Sequence, residues 1–364
     1  MALSVAVNGQ DMEAVKNVSV KRDIGQALGT FNFAISLAPG QATPVRVGDR
    51  IQIKADGTTV VNGFAEIFDL VVSQRKREIK VSGRDKTSDI LDSSIRGQKE
   101  WSGPISLKAI SDQIISDMGA DIQVVDDSEG TAEFLATDIL SATPTESAFK
   151  FIEKLGRKRQ VTVTTNIDGN LQFIAGRNAD SGIRLIRRDG DENSNVKDLK
   201  VKIDYTKVHA EYRMLAQQNP LRLDSQTPPE TIVNTVGTAE NSDIRASRYL
   251  EIDPKEDMEG QTAQAAAEHE LQTRLSQSFA IDAVIAGHSL NGSVPAPGTI
   301  VTIVDDVFGI DTRAVVRSFQ MTYTTNKSET SLSLSRENAY SKRRVTAGTS
   351  AARGRPIEAE DYIS

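Results

Sequence analysis

Gly287-His288-Ser289-Leu290-Asn291 comes within one residue of G-x-S-x-G, the turn that presents a serine nucleophile on a strand-to-helix bend. Its fifth position is Asn291, and the loop 292–298 follows where a helix is required. Asp189, Asp191 and Asn193 begin like a calcium loop. The spacing then places Ser194 where that loop turns on glycine, and Lys200 where it needs a bidentate glutamate. Asp126-Asp127 and Asp305-Asp306 are adjacent carboxylates, which on a strand point to opposite faces and so suit turns better than acid–base chemistry. His209, expected in a strand, His269, expected on an alanine-rich helix, and His288 share no metal-ligand spacing. No glycine-rich phosphate loop occurs. The residues therefore predict no catalytic, cofactor-binding or metal site, and no enzyme.

Three basic clusters complete the inventory: Arg75-Lys76-Arg77, Arg157-Lys158-Arg159 and Lys342-Arg343-Arg344. They read as a hairpin tip, a helix C-terminal turn that suits the helix dipole, and a tail. A contact with an acidic neighbour or with passing DNA is the alternative.

The composition narrows the class. A chain of 364 residues has room for two or three domains, and 38% hydrophobic with 26% charged residues describes a globular protein. With no cysteine there is no disulfide, thiolate ligand or thiol nucleophile, in keeping with a reducing cytoplasm. A net charge of −7 opposes general nucleic-acid binding, and 5% aromatics argue against a base- or sugar-stacking platform. The longest apolar run, Phe64 to Val72, contains Glu66 and Asp69, so no membrane-spanning stretch is expected. Met1-Ala-Leu-Ser lacks a basic region, so no secretory signal is expected either.

The elements that would position any site are mainly strands. Val45 to Gly83 reads as a glycine turn at Gly48, an alternating strand with Ile51 and Ile53, an Asp56-Gly57 hairpin turn, a long strand broken by a bulge at Gly63, and a strand through Ile79 and Val81. Pro297 to Asn338 repeats the pattern: Gly298, a strand through Val304, a turn at Asp305 to Gly309, a long strand from Arg313 to Tyr323, then Leu332 and Leu334. The repetition predicts a duplicated β-barrel unit. Leu3 to Val7, Val15 to Val20 and Thr30 to Leu37 add strands to the first copy.

Between the copies the periodicity changes. A helix carrying Leu107, Ile110, Ile114 and Met118 is expected to stop at Gly119, and a second with Phe149, Ile152 and Leu155 to stop at Gly156. Asp168-Gly169-Asn170 marks a hairpin. Residues 217–245 are polar and read as a long loop, and 262–276 as a third helix with the stripe Ala263, Ala267, Leu271 and Leu275. The expected organisation is a first β-barrel over 1–95, an α+β inserted module over 96–180, a second β-barrel over 181–340 with an excursion at about 217–245, and a flexible arm over 341–364.

The order of these stretches resembles the baseplate hub proteins of Mu-like contractile phage tails, the late control D or tail protein D family. GDRIQIKADGTTVVNGFAEIFDL with VSGRDKTSDILDSSI, SLKAISDQIISDMGADIQV, ESAFKFIEKLGRKRQVTVTTNIDGNLQFIAGR and PGTIVTIVDD with RAVVRSFQMTYTTNKSETSLSLSREN carry the resemblance. It implies a mainly β fold in which three chains, two similar barrels each, form a pseudo-hexameric ring. The implied function is a structural hub adapting a six-fold tail tube to a three-fold central spike, with a central channel for DNA. The implied partners are a second and third copy, the tube, the spike and wedge proteins of the baseplate. The implied location is the virion tail, assembled in the host bacterial cytoplasm. The alternatives are a tail-associated cell-wall or polysaccharide hydrolase, and the hub of a tailocin or type VI secretion spike.

Overall fold

A computed structural model of the chain describes residues 3–337 except 14, 39, 74–76, 129–132, 135–139, 144, 160, 175–178, 189, 191–193, 218–233, 253–262 and 308. The protein is mainly β. The first strands are β1 (Leu3–Val7), β2 (Gln10–Asp11), β3 (Val15–Asp23), β4 (Thr30–Ser36), β5 (Arg50–Ala55), β6 (Thr58–Val72) and β7 (Arg77–Asp85). Then come α1 (Ser88–Asp92), β8 (Lys99–Trp101), α2 (Leu107–Met118), β9 (Val124–Asp127), β10 (Leu140–Ala142), α3 (Ala148–Lys158), β11 (Thr162–Thr165) and β12 (Leu171–Ile174). The chain continues with β13 (Asp180–Arg187), β14 (Val196–Ile203), β15 (Glu211–Gln217), β16 (Asn234–Glu240), β17 (Tyr249–Ile252) and α4 (Ala263–Gln277). It closes with β18 (Phe279–Ala286), β19 (Ile300–Asp305), β20 (Ile310–Tyr323) and β21 (Ser328–Arg336).

Two compact units result: Met1–Lys200 with Ile281–Ser335, and Val201–Ala280 with Arg336–Ser364. In the first, a 13-stranded sheet runs in the order β14-β18-β21-β20-β3-β4-β7-β6-β5-β1-β2, with β19 beside β20 and β13 beside β19. The order contains one sequence of neighbours twice. The first half reads β3-β4-β7-β6-β5-β1 and the second β14-β18-β21-β20-β19-β13.

The backbone repeats to the residue. The Gly48 amide donates to the Ala65 carbonyl at 2.9 Å and the Ala65 amide to Asp49 at 3.0 Å; Gly298 donates to Val316 at 2.8 Å and Val316 to Thr299 at 2.9 Å. The spacing is 250 (298 − 48) on one strand and 251 (316 − 65) on the other. Gly48 and Gly298 share φ +85°, a conformation open to glycine because it has no Cβ. Strands β3 and β14 also match in sequence: VKNVSVKRD and VKDLKVKID agree at Val15/Val196, Lys16/Lys197, Val20/Val201, Lys21/Lys202 and Asp23/Asp204, a spacing of 181 (196 − 15). The outermost strands differ, since β1 pairs antiparallel with β5 whereas β13 runs parallel to β19.

The duplicated unit expected from sequence is thus present as strand order and hydrogen bonding. Closed barrels are not: among the described residues no pairing closes either half on itself, and the halves join edge to edge through β20 and β3. The Asp56-Gly57 turn forms as expected, with φ 47° and 90°, between Ala55 and Thr58. Gly63 is not itself a bulge. Register shifts lie between Ile53 and Lys54 and between Ala65 and Ile67, and Gly63 is required because a Cβ there would stand 1.9 Å from the Arg84 carbonyl oxygen.

The elements after β7 build a separate core with Trp101, Ile110, Ile114, Phe134, Phe151, Ile152 and Phe173. Helix α2 starts on Ser106, whose hydroxyl accepts from the Ala109 amide, and ends on Gly119 at φ 70°. Helix α3 runs past Gly156 to Lys158; Gly156 is there because Val163 packs where its Cβ would be. In the second unit β16-β15-β17 form a small sheet, and α4 packs Ala267 and Leu271 on Tyr212 and Met214. Residues 234–240, inside the stretch expected as a loop, are β16, hydrogen-bonded along β15. The proposed arm 341–364 lies outside the described residues. Among the described residues no helix is long and apolar enough to cross a membrane.

Candidate functional site: the sheet junction and its free strand end

The residues singled out for chemistry are placed apart or in structural roles. Ser289 donates its hydroxyl proton to Asp56 Oδ2 at 2.7 Å, and His288 lies next to it, fully buried. The three residue types of a hydrolytic triad therefore meet, but wired in the wrong order. The serine is bonded to the carboxylate, and the two imidazole nitrogens lie 3.1 Å from the hydroxyls of Thr330 and Ser328. This contact pins the first-half hairpin turn to the second half. Burial lowers the His288 pKa below the ordinary histidine value, against the pull of Asp56.

Asp126 accepts from the Ser128 amide at 3.0 Å and Asp127 from Gln172 at 2.5 Å, as turn and strand residues do. Asp305 and Asp306 face Arg187 and Arg188 at 3.9 and 3.5 Å, across from β13. His209 sits just before β15 rather than in a strand, edge-on to Tyr212. The His269 side chain, Asp189, Asp191, Asn193, Arg75, Lys76 and the 342–344 cluster lie outside the described residues. At the helix end, Arg157 pairs with Glu153 at 3.5 Å, and Arg159 lies 4.0 Å over the Phe134 ring and donates to the Glu133 carbonyl. Among the described residues no group of acidic or histidine side chains is arranged to hold a metal.

What the fold does build is a junction. Strand β20 is shared along one edge: Ile310 to Val315 pair with β19, and Ser318 to Tyr323 pair with β3. Val18, Val20 and Arg22 alternate inward on β3, so period two carries a guanidinium into the interior. Arg22 Nη2 meets Asp85 at 2.7 Å, Nε donates to the Val60 carbonyl at 2.9 Å, and Nη1 to Thr165 Oγ1 at 3.1 Å. Asp85 also accepts from the Gly29 amide at 2.7 Å. Burial pushes the Asp85 carboxyl up, opposed by Arg22. One buried pair thus fastens β3, β6, β7 and the β11 end of the module together. A lone arginine on the apolar face of an alternating strand was the available sequence signal for it.

Strand β6 has the form of β20 but not its surroundings. Thr58 to Phe64 pair with β5; beyond them Ile67 to Val72 pair, among the described residues, with β7 only. Ile67, Leu70, Val71 and Val72 are exposed. Leu70 is 67% exposed, while Met321, one spacing of 251 later, is 0% exposed under β3. An apolar strand end with one edge unpaired among the described residues is the kind of edge on which another strand can add. Beside it lies an open groove lined by Phe31, Val47, Phe64, Glu66 and Arg84, with Arg84 held by Glu66 at 2.7 and 2.9 Å.

A family model described as Mu phage baseplate assembly protein GpP-like, N-terminal, matches residues 2–85, the span of β1 to β7. The baseplate hub protein gp44 of Escherichia phage Mu is 24% identical over 322 residues, covering 87% of this chain and 82% of that protein. The chain resembles the Mu-like baseplate hub family. Among solved structures, the 43 kDa tail protein of prophage MuSo2 from Shewanella oneidensis superposes with a TM-score of 0.75 at 21% identity, over 93% of this chain and 98% of that one. The E. coli c3393 protein, a component of the type VI secretion system similar to T4 tail proteins gp27 and gp5, gives 0.58 at 9% identity, over 93% and 78%. These hub and tail relatives are structural proteins, not enzymes.

Proposed function

We propose that the protein is the structural hub of a contractile tail baseplate, working as a homotrimer that adapts a six-fold tail tube to a three-fold spike. The observation that carries the reading is the same six-strand order twice in one chain. Three subunits offer six near-equivalent surfaces to a hexameric tube only if each brings two. In this reading the residues 1–95 and 181–340 are the two ring-forming parts, and 96–180 faces outward to other baseplate proteins. The ring encloses a channel for DNA, and its assembly takes place in the host cytoplasm. Sedimentation at micromolar concentration with imaging of the purified protein tests it. A trimeric ring with near-six-fold appearance on one face is expected; a monomer at that concentration overturns it. The likeness to the c3393 protein favours one second reading, in which the same trimer serves as the base of a secretion spike. Co-purification with a sheath-and-tube particle that packages DNA, against one that does not, separates the two.

A further inference from the structure

The chain contains its own template for how the next copy attaches. Within it, β20 of the second half pairs antiparallel with β3 of the first: Ser318 with Asp23, Phe319 with Arg22, Gln320 with Lys21, Met321 with Val20, Thr322 with Ser19 and Tyr323 with Val18. The first-half equivalent of β20 is β6, whose Ile67–Val72 end has an unpaired edge among the described residues. The second-half equivalent of β3 is β14, which among the described residues is hydrogen-bonded to β18 alone. Each chain therefore carries both sides of a second junction without being joined through it.

Resting on the trimer reading above, we infer that β14 of one copy adds antiparallel to the Ile67–Val72 end of β6 in the next, in the register that β3 and β20 already use. Carrying that register across by the spacings of 251 and 181 sets Phe68 opposite Ile203, Leu70 opposite Val201 and Val72 opposite Leu199 on one face. On the other it sets Asp69 opposite Lys202 and Val71 opposite Lys200. Four of the five transferred pairs are complementary, all but Val71 with Lys200: apolar meets apolar on the face where Met321 meets Val20, and an acid meets a base where Gln320 meets Lys21. Phe68 answers to Phe319, so the alignment holds through the aromatic anchor. Ile203 is exposed, as a residue awaiting a neighbour would be. In the trimer reading such a head-to-tail contact alternates with the intrachain one, so three chains give six junctions of one kind, and the ring closes when the rotation at each is a sixth of a turn.

The chain has no cysteine, so a pair introduced at the predicted contact has no native thiol to compete with it. The full-length double variant Leu70→Cys, Val201→Cys is oxidised mildly and run without reductant, in parallel with sedimentation. Covalent dimers and trimers that collapse to monomer on reduction are expected, since directly opposed residues approach within disulfide reach. Asp69→Lys alone is expected to shift trimer towards monomer, and Asp69→Lys with Lys202→Asp to restore the trimer. Both sites are exposed, and circular dichroism confirms the fold of each variant. A trimer by sedimentation that yields no covalent species and ignores the charge reversal overturns the junction and leaves the trimer reading standing. A disulfide formed at monomer mass overturns the junction as well. A monomer with no cross-link removes both.

Discussion

Leu70 and Met321 hold the same place in the two halves of the sheet and live in opposite surroundings, one open to solvent and one sealed by β3. The two halves share strand order and turn geometry, so the difference lies in what stands beside them. It also lies in where the chain has been expanded. In the first half β3 passes to β4 through residues 24–29, whereas in the second the matching step from β14 to β18 spans residues 204–278 and includes a sheet with its own helix. The first half instead expands after β7, where the module with β8 to β12 begins. A repeated framework has been elaborated at different joints, so equivalent residues now serve different ends.

Substitutions at matched positions sharpen this contrast. The largest effect is expected at the buried Arg22–Asp85 pair of the first half. Asp85→Ala leaves Arg22 buried without its carboxylate and should cost about 3–5 kcal/mol in urea unfolding. Replacing Ile203, the exposed counterpart of Arg22, by Ala should shift stability by less than about 0.5 kcal/mol. If the two substitutions weaken the protein equally, the halves are less different than their surroundings imply. Next, Met321→Ala should cost about 2–5 kcal/mol. Leu70→Ala, measured below the concentration at which the chain associates, should stay within about 0.5 kcal/mol.

A third comparison concerns Gly63 and its counterpart Ala314. A methyl at Gly63 meets the Arg84 carbonyl, so Gly63→Ala should cost about 1–3 kcal/mol. Ala314→Gly, which removes a buried methyl from a strand, should cost about 1 kcal/mol. The smallest effect is a titration. His288 belongs to the second half alone, for the first half carries the exposed Ala38 one spacing of 250 earlier. Its folded-state pKa is depressed, so below the ordinary histidine value of about 6.5 the unfolded chain takes up a proton that the folded chain refuses. Stability should fall as pH drops through that window. Unfolding midpoints across it should show a slope that His288→Gln flattens.

Much of this was legible in the residues. The Asp56-Gly57 turn, the paired glycines Gly48 and Gly298 and the period-two strands fix local conformation, and local conformation is what short sequence patterns encode. The duplication followed from their recurrence. Closure did not follow, because whether a sheet bends shut depends on edges hundreds of residues apart. Gly156 looked like a helix end since glycine often is one, but a close neighbour, Val163, required it instead. The β15–β16–β17 sheet was hidden because its strands flank a polar stretch whose partners are not adjacent in sequence. For the candidate surface, the apolar run Phe64 to Val72 was visible at once. That its last residues have no second neighbour among the described residues was not, since exposure is a property of what stands alongside.

The pairing of β3 with β20 also has a temporal meaning. Residues 18–23 pair early with β4 on one side but find their second neighbour only when 318–323 have been made, so the nascent first half must leave the ribosome with a raw strand flank. Lys21 on that flank is the kind of charged guard that keeps such an edge from adhering to the wrong chain while the second half is still being translated.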